Sequence, residues 1–169
     1  MNKNLILTGM MGVGKSTIGR LLAKRLKVKF IDVDKVIEKK EKISIKKIFE
    51  YKGEKYFRKI EEKITLKALK KRMTVIALGG GAFINDKIRR EVLSSCKSVW
   101  LKSSLIRLTK RYKKNDRRPL LNKKNLEADV KRIYLSRKKI YKLANFKVDC
   151  DNMNKFRVVQ RILEFYENK

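Results

Sequence analysis

The segment Gly9-Met10-Met11-Gly12-Val13-Gly14-Lys15-Ser16 constrains this chain more than any other stretch of it. It matches the pattern G-x-x-x-x-G-K-S/T, which is informative only between a strand and a helix. Both flanks are present. Leu5-Ile6-Leu7 running into Thr8-Gly9 reads as a short buried strand entering a turn, and Ile18, Leu21, Leu22 and Leu26 recur at helical spacing over Lys15 to Leu26. Glycines at these positions let successive backbone N–H groups turn inward around a phosphate chain. The helix opening at Lys15 adds the positive end of its dipole. Lys15 can reach the outer phosphates of a nucleoside triphosphate, and the Ser16 hydroxyl can ligate Mg²⁺. The motif specifies a nucleotide and leaves the phosphoryl acceptor open.

The remainder of the chain repeats the strand–helix alternation. Strands are predicted at Lys29 to Val33, Thr74 to Leu78, Ser98 to Leu101 and Phe146 to Cys150. Helical stretches cover 34–72 with breaks near Ser44 and Gly53, a segment after Asn85, one opening near Ser103, Leu126 to Leu143, and Asn154 to Tyr166. Short apolar strands separated by helices specify a parallel sheet covered on both faces. A length of 169 residues fits one domain.

Asp32 and Asp34 flank Val33 at the end of the second strand. Ligands of open α/β sheets sit beyond the carboxyl ends of the strands, and residues two apart on a strand share a face. One carboxylate could hold Mg²⁺ through water while the other accepts a hydroxyl proton. Asp34 equally suits the N-cap of the helix that follows, and the two roles are compatible. Arg58 by itself reads as one half of a surface ion pair with Glu61 or Glu62. Gly79-Gly80-Gly81 ends the third strand on the same sheet edge as the phosphate loop, where three glycines suit a ligand approaching backbone amides more than a plain tight turn. Residues 110–124, KRYKKNDRRPLLNKK, are long for a loop and strongly cationic, as a mobile lid over a phosphoryl-transfer site would be, or a loose anion-binding tether.

Composition removes several alternatives. With no His, a Ser-His-Asp triad, a His-based metal site and a His acid/base are excluded. Two distant cysteines, Cys96 and Cys150, suit free thiols in a reducing cytoplasm. No apolar run is long enough for a membrane helix, so no membrane partner is expected. The net charge of +30 points either to an anionic partner or to a general lysine bias. The aromatics form no basic stacking platform, so a nucleic-acid partner is not expected.

Taken together, the motifs resemble the shikimate kinase family. The resemblance rests on the phosphate loop Gly9–Ser16, on Phe30-Ile31-Asp32-Val33-Asp34, and on Ser44-Ile45, Ile48-Phe49, Gly53-Glu54 and Phe57-Arg58 with Glu61. It continues through Gly79–Gly81, Val99-Trp100-Leu101, Arg118-Pro119-Leu120-Leu121, and Arg137 with Tyr141. It runs in order from about residue 4 to 150, and the phosphate loop alone is its only generic part. It implies a three-layer P-loop NTPase fold of class α/β, with a five-stranded parallel sheet of order 2-3-1-4-5, a helical substrate-binding insertion at about 33–62 and a lid at about 112–124, within a single domain 1–169. It implies transfer of phosphate from ATP, with Mg²⁺, to the 3-hydroxyl of shikimate. The cysteines suit the cytoplasm, and nothing in the sequence demands more than a monomer.

Residue by residue, the resemblance assigns Gly12, Val13, Gly14, Lys15, Ser16 and Thr17 to the ATP phosphates, and Ser16 with Asp32 to the metal. Asp34 positions the substrate hydroxyl and accepts its proton. Arg58 and Arg137 grip the carboxylate, a planar anion suited to guanidinium forks. Gly80 and Gly81 offer backbone contacts to the substrate. Arg118 reaches the phosphates and counts with Lys15 and Asp34 as catalytic, while Arg111 stacks near adenine. The chain departs from the family pattern at Glu41-Lys42-Ile43, where a glycine is common, and the adenine-loop residues around Asp151 to Asn154 match weakly.

Overall fold

The backbone of a computed structural model is described for residues 3–113 and 125–167. Five strands form one parallel sheet: β1 (Leu5–Thr8), β2 (Lys29–Asp32), β3 (Thr74–Ala77), β4 (Lys97–Lys102) and β5 (Phe146–Asp149). Their order across the sheet is β2-β3-β1-β4-β5, as the resemblance implies. β1 lies in the centre and is buried along its whole length, with Ile6 opposite Ile76 of β3 on one side and Ser98 of β4 on the other. A strand apolar on both faces can sit only where helices cover both.

The helices are α1 (Lys15–Leu26), α2 (Val33–Glu41), α3 (Ile45–Leu69), α4 (Asp86–Ser95), α5 (Leu105–Lys113), α6 (Leu126–Tyr141) and α7 (Lys155–Glu167). α1 sits close to the sheet because Gly19 has no side chain: a Cβ there would fall 2.3 Å from the Phe30 ring. α3 is two helical segments joined at Gly53, whose φ of 78° lies in the left-handed region. The predicted breaks at Ser44 and Gly53 are therefore both present, with Ser44 capping α3 by accepting from the Lys47 N–H.

One boundary differs in a way that matters for the site. β2 ends at Asp32 rather than Val33, and α2 begins immediately after it. Asp32 has the extended backbone of an N-cap (φ −104°, ψ 110°), and its Oδ1 accepts from the Lys35 N–H at 3.3 Å. Asp34 is thus not the cap and not a strand residue. It lies in the first turn of α2, where a carboxylate also favours the helix dipole. At the other end of α2, Lys42 takes a left-handed φ of 58°, the conformation for which glycine is the usual residue.

Cys96 and Cys150 are both free, and burial pushes both thiols up, Cys150 to about 11. Among the described residues, no helix is long and apolar enough to cross a membrane. The proposed lid arginine Arg118, with Pro119 and most of the expected lid, lies outside the described residues; Tyr112 and Lys113 belong to α5.

Candidate active site

Parallel order places the loops after β1 and β3 side by side at the carboxyl edge of the sheet, next to the point where strand order reverses between β1 and β4. The loop after β1 is the phosphate loop. Its glycines 9, 12 and 14 all have positive φ (134°, 69° and 110°), so the backbone there turns in a way L side chains resist. Lys15 is buried and folds back on the loop, its Nζ donating to the carbonyls of Gly9 at 2.8 Å and Met10 at 2.9 Å. Ser16 Oγ donates to Asp32 Oδ2 at 2.5 Å, so the first turn of α1 and the end of β2 present two oxygens together. Gly12, Val13, Gly14 and Thr17 complete the same loop-and-helix start.

The loop after β3 carries the glycine triplet, and the structure gives each glycine a steric reason. A Cβ at Gly79 would fall 2.3 Å from Glu61 Oε1 and 2.7 Å from Asp34 Oδ1. A Cβ at Gly80 would lie 3.0 Å from the Met11 backbone nitrogen, and one at Gly81 would lie 2.5 to 2.9 Å from the guanidinium atoms of Arg58. The triplet is a floor against which Asp34, Glu61, Arg58 and the phosphate loop all pack. Thus Asp34 from α2 and Arg58 from α3, far apart in sequence, meet beside the nucleotide cradle.

Arg58 Nη1 donates to Glu61 Oε2 at 2.7 Å, and its Nε and Nη2 donate to Glu54 Oε1 at 3.1 and 3.0 Å. The expected partner Glu61 is confirmed, whereas Glu62 points away and accepts from Asn85 and Lys87. Guanidinium has five N–H donors, so these bonds leave one on each terminal nitrogen. Burial works against the charge on Arg58, but Glu61 and Glu54 outweigh it and hold the group above its ordinary range. Glu61 itself is 2% exposed, and its Oε1 has no hydrogen-bond partner among the described residues. Burial pushes its carboxyl up, Arg58 pulls it down, and the nearby Asp34 charge pushes it further up.

Arg137 and Tyr141, one helical turn apart on α6, close the opposite wall. Arg137 Nη1 donates to the Gly80 carbonyl at 3.1 Å and the Tyr141 hydroxyl donates to the same oxygen at 2.5 Å. Tyr141 is fully buried against Trp100, and burial pushes its hydroxyl up to about 12, so it stays a neutral donor at any physiological pH. Arg111 on α5 points to the phosphate loop, its Nη1 donating to the Gly12 carbonyl at 2.8 Å. The weakly matching loop after β5 is held firmly. Asp151 accepts from Ser103 Oγ at 2.6 Å and the Ser104 N–H at 2.8 Å, and Arg107 Nη1 donates to the Cys150 carbonyl at 2.6 Å.

The roles of Glu61 and Tyr141 are not apparent from residue type alone. A signal for Glu61 does exist: it falls in phase with Phe57, Ile60, Ile64 and Ala68, the buried stripe of α3, while Glu62 falls out of phase. An acid in an apolar stripe is the kind of buried polar group that calls for a partner. The contacts of α5 with the phosphate loop join residues about a hundred positions apart, and no local pattern reports them.

Comparison with known proteins agrees with this geometry. The family description "Shikimate kinase" matches residues 11–167. A shikimate kinase from a Sulfurihydrogenibium species is 40% identical over 161 residues, which is 95% of this chain and 96% of that protein. The structure of shikimate kinase from Acinetobacter baumannii in complex with shikimate superposes with a TM-score of 0.93 at 30% identity, covering 98% of this chain and 93% of the other. That of the Aquifex aeolicus enzyme gives 0.85 at 36% identity, covering 97% and 96%. A family match over residues 11–167 and 40% identity over nearly the whole length of both chains leave one assignment: this chain belongs to the shikimate kinase family.

Proposed function

We propose that the protein transfers the γ-phosphoryl group of ATP to the 3-hydroxyl of shikimate, giving shikimate 3-phosphate and ADP, a step toward aromatic amino acids. The observation that carries the reading is the meeting of Asp34 and Arg58 on the glycine floor next to the phosphate loop. A proton acceptor and a carboxylate grip, at one wall of a nucleotide cradle, suit an acceptor that is both an alcohol and an acid.

The chemistry follows from positioning and charge, since phosphoryl transfer asks little covalent help of a protein. Lys15 leaves the Gly9 and Met10 carbonyls for the phosphates when ATP fills the loop. The remaining N–H groups on the terminal nitrogens of Arg58, together with Arg137, take the shikimate carboxylate as a fork, and Gly80 and Gly81 face the ring. Asp34 takes the proton from the 3-hydroxyl as its oxygen forms a bond to the γ-phosphorus and the bond from that phosphorus to the bridging oxygen of ADP breaks. Glu61 is tied to Arg58 and serves to hold the guanidinium, while Asp34 is the carboxylate assigned to the proton.

Ser16 Oγ and Asp32 Oδ2 are hard oxygen donors of the kind Mg²⁺ prefers. Among the described residues, no group of three or more His, Cys, Asp or Glu could hold a metal alone, which suits an ion completed by phosphate oxygens and water. When bound, the ion neutralises charge on the β- and γ-phosphates. We further assign α2 and the first part of α3, about 33–62, to shikimate binding, the part of the expected lid that follows α5, with Arg118, to closure over the phosphates, and Arg111 to the adenine side of the site. The two free thiols fit a cytoplasmic enzyme.

The test is a substrate panel. Purified protein with ATP and Mg²⁺ is offered shikimate, gluconate or a nucleoside monophosphate, and the product is identified by phosphorus NMR. Phosphate on the 3-oxygen of shikimate, with the other acceptors inert, is the expected result; preferential turnover of another acceptor refutes the reading.

A further inference from the structure

The phosphate loop contains a tight turn over residues 10–13, closed by the Val13 N–H donating to the Met10 carbonyl at 3.3 Å. Gly12, its third residue, has φ 69°, which is the type II pattern. In such a turn the middle peptide, here the Met11 carbonyl and the Gly12 N–H, takes no part in the closing bond. Its orientation separates type I from type II; the glycine at the third position permits type II, and a contact from outside the turn can fix it. The peptide group is planar and trans, so fixing the carbonyl on one side fixes the N–H on the other.

That outside contact comes from α5. Tyr112 is buried, and its hydroxyl donates to the Met11 carbonyl at 2.5 Å. Its ring lies against Gly12, where a Cβ would sit 2.9 Å from ring atom Cε1. The preceding residue, Arg111, donates to the next carbonyl, that of Gly12. Two successive carbonyls of the turn are therefore gripped by two successive residues of one helix. On its other side the turn abuts the glycine floor through the Met11 nitrogen. Neither the phosphate-loop motif nor the other motifs of the family resemblance include Tyr112.

We infer that Tyr112 is a positioning residue for nucleotide binding: its hydroxyl locks the middle peptide of the phosphate-loop turn, aiming the Gly12 N–H away from α5 and toward the nucleotide side. This rests on the kinase reading above. Without the hydroxyl, the Met11 carbonyl loses its partner, the peptide samples both orientations, and part of the binding free energy goes to selecting one.

The experiment compares the intact protein with Tyr112→Phe, reading ADP affinity by calorimetry, the KM values for ATP and shikimate, and the amide resonance of Gly12 by NMR. The expected result is a five- to tenfold weaker Kd for ADP and a matching rise in KM for ATP, equivalent to about 1 kcal/mol. The shikimate KM stays within twofold, and the Gly12 amide shifts or broadens. Tyr112→Leu, which also empties the space under Gly12, should weaken ADP further. ADP affinity within twofold of the parent in Tyr112→Phe overturns the inference while leaving the kinase reading intact. So does an equal loss for ATP and shikimate accompanied only by a lower melting temperature. A parent protein that fails to bind ADP overturns both.

Discussion

Replacing Arg58 by alanine should produce two separable defects, because the structure gives this guanidinium two kinds of partner. Toward the pocket it offers donors for the substrate carboxylate; toward the core it neutralises Glu61, which is 2% exposed and bonded to it at 2.7 Å. Removing one member of a fully buried pair costs about 3–5 kcal/mol because the survivor is left charged and dry. The Arg58 side chain is 30% exposed, so water enters the vacated space and about 2–3 kcal/mol is the expected loss at neutral pH. The loss should depend on pH. The Glu61 carboxyl is already raised by burial in the parent and rises further without Arg58. An acid raised in the folded state loses stability as pH climbs from its unfolded value through its folded value. Arg58→Ala should therefore be least destabilised near the ordinary Glu range, about pH 4 to 5, and most destabilised above it. Adding Glu61→Gln removes the buried charge, so Arg58→Ala/Glu61→Gln should recover at least half of the lost stability at pH 7. It should not recover shikimate affinity, because the fork is still missing. Urea denaturation at several pH values and the KM for shikimate read the two effects independently. Equal stability of the single and double variants would refute the claim that Glu61 is a buried charge held by Arg58. An unchanged shikimate KM in Arg58→Ala would refute the carboxylate role.

Three further outcomes follow from the same geometry. Gly79→Ala puts a methyl within 2.3 Å of Glu61 Oε1 and 2.7 Å of Asp34 Oδ1, so kcat should fall on the order of 100-fold as Asp34 moves, and near-normal turnover would show the floor to be slack. Asp34→Asn should abolish turnover while ADP binding by calorimetry stays within about twofold; strong residual turnover would remove Asp34 as proton acceptor. Lys42→Gly should raise stability by about 0.5–1 kcal/mol, read as a melting temperature about 1–4 °C higher, because Lys42 occupies a left-handed helix end; no change would mean that φ of 58° costs the lysine nothing.

The parts of the fold that were legible are those written in local periodicity. The β1–phosphate loop–α1 unit, the remaining strands and the breaks at Ser44 and Gly53 follow from apolar spacing, glycine and cap chemistry, whereas the strand order needed the family resemblance. The assignment of Asp34 to a strand end failed by one residue. A helix can start directly from a strand when an Asp caps it, and Asp32 and Asp34 are equally good caps by residue type; only the backbone distinguishes them. Arg58 could not be told from a surface arginine because its significance comes from Gly81 and Glu61, contacts created by folding. Glu61 was partly legible through its phase on α3. The grip of α5 on the phosphate loop was not legible at all, since Tyr112 and Met11 are brought together only by the order of strands in the sheet.

The central claim is that one wall of the nucleotide cradle holds an alcohol-acid in line with the terminal phosphate. Its most direct test is the rate of ADP release from ATP and Mg²⁺ with and without shikimate, followed in a coupled assay. The account predicts that shikimate raises the rate by at least a hundredfold and saturates, with one ADP formed per shikimate consumed. ADP release that is indifferent to shikimate, or that proceeds without consuming it, would contradict the account.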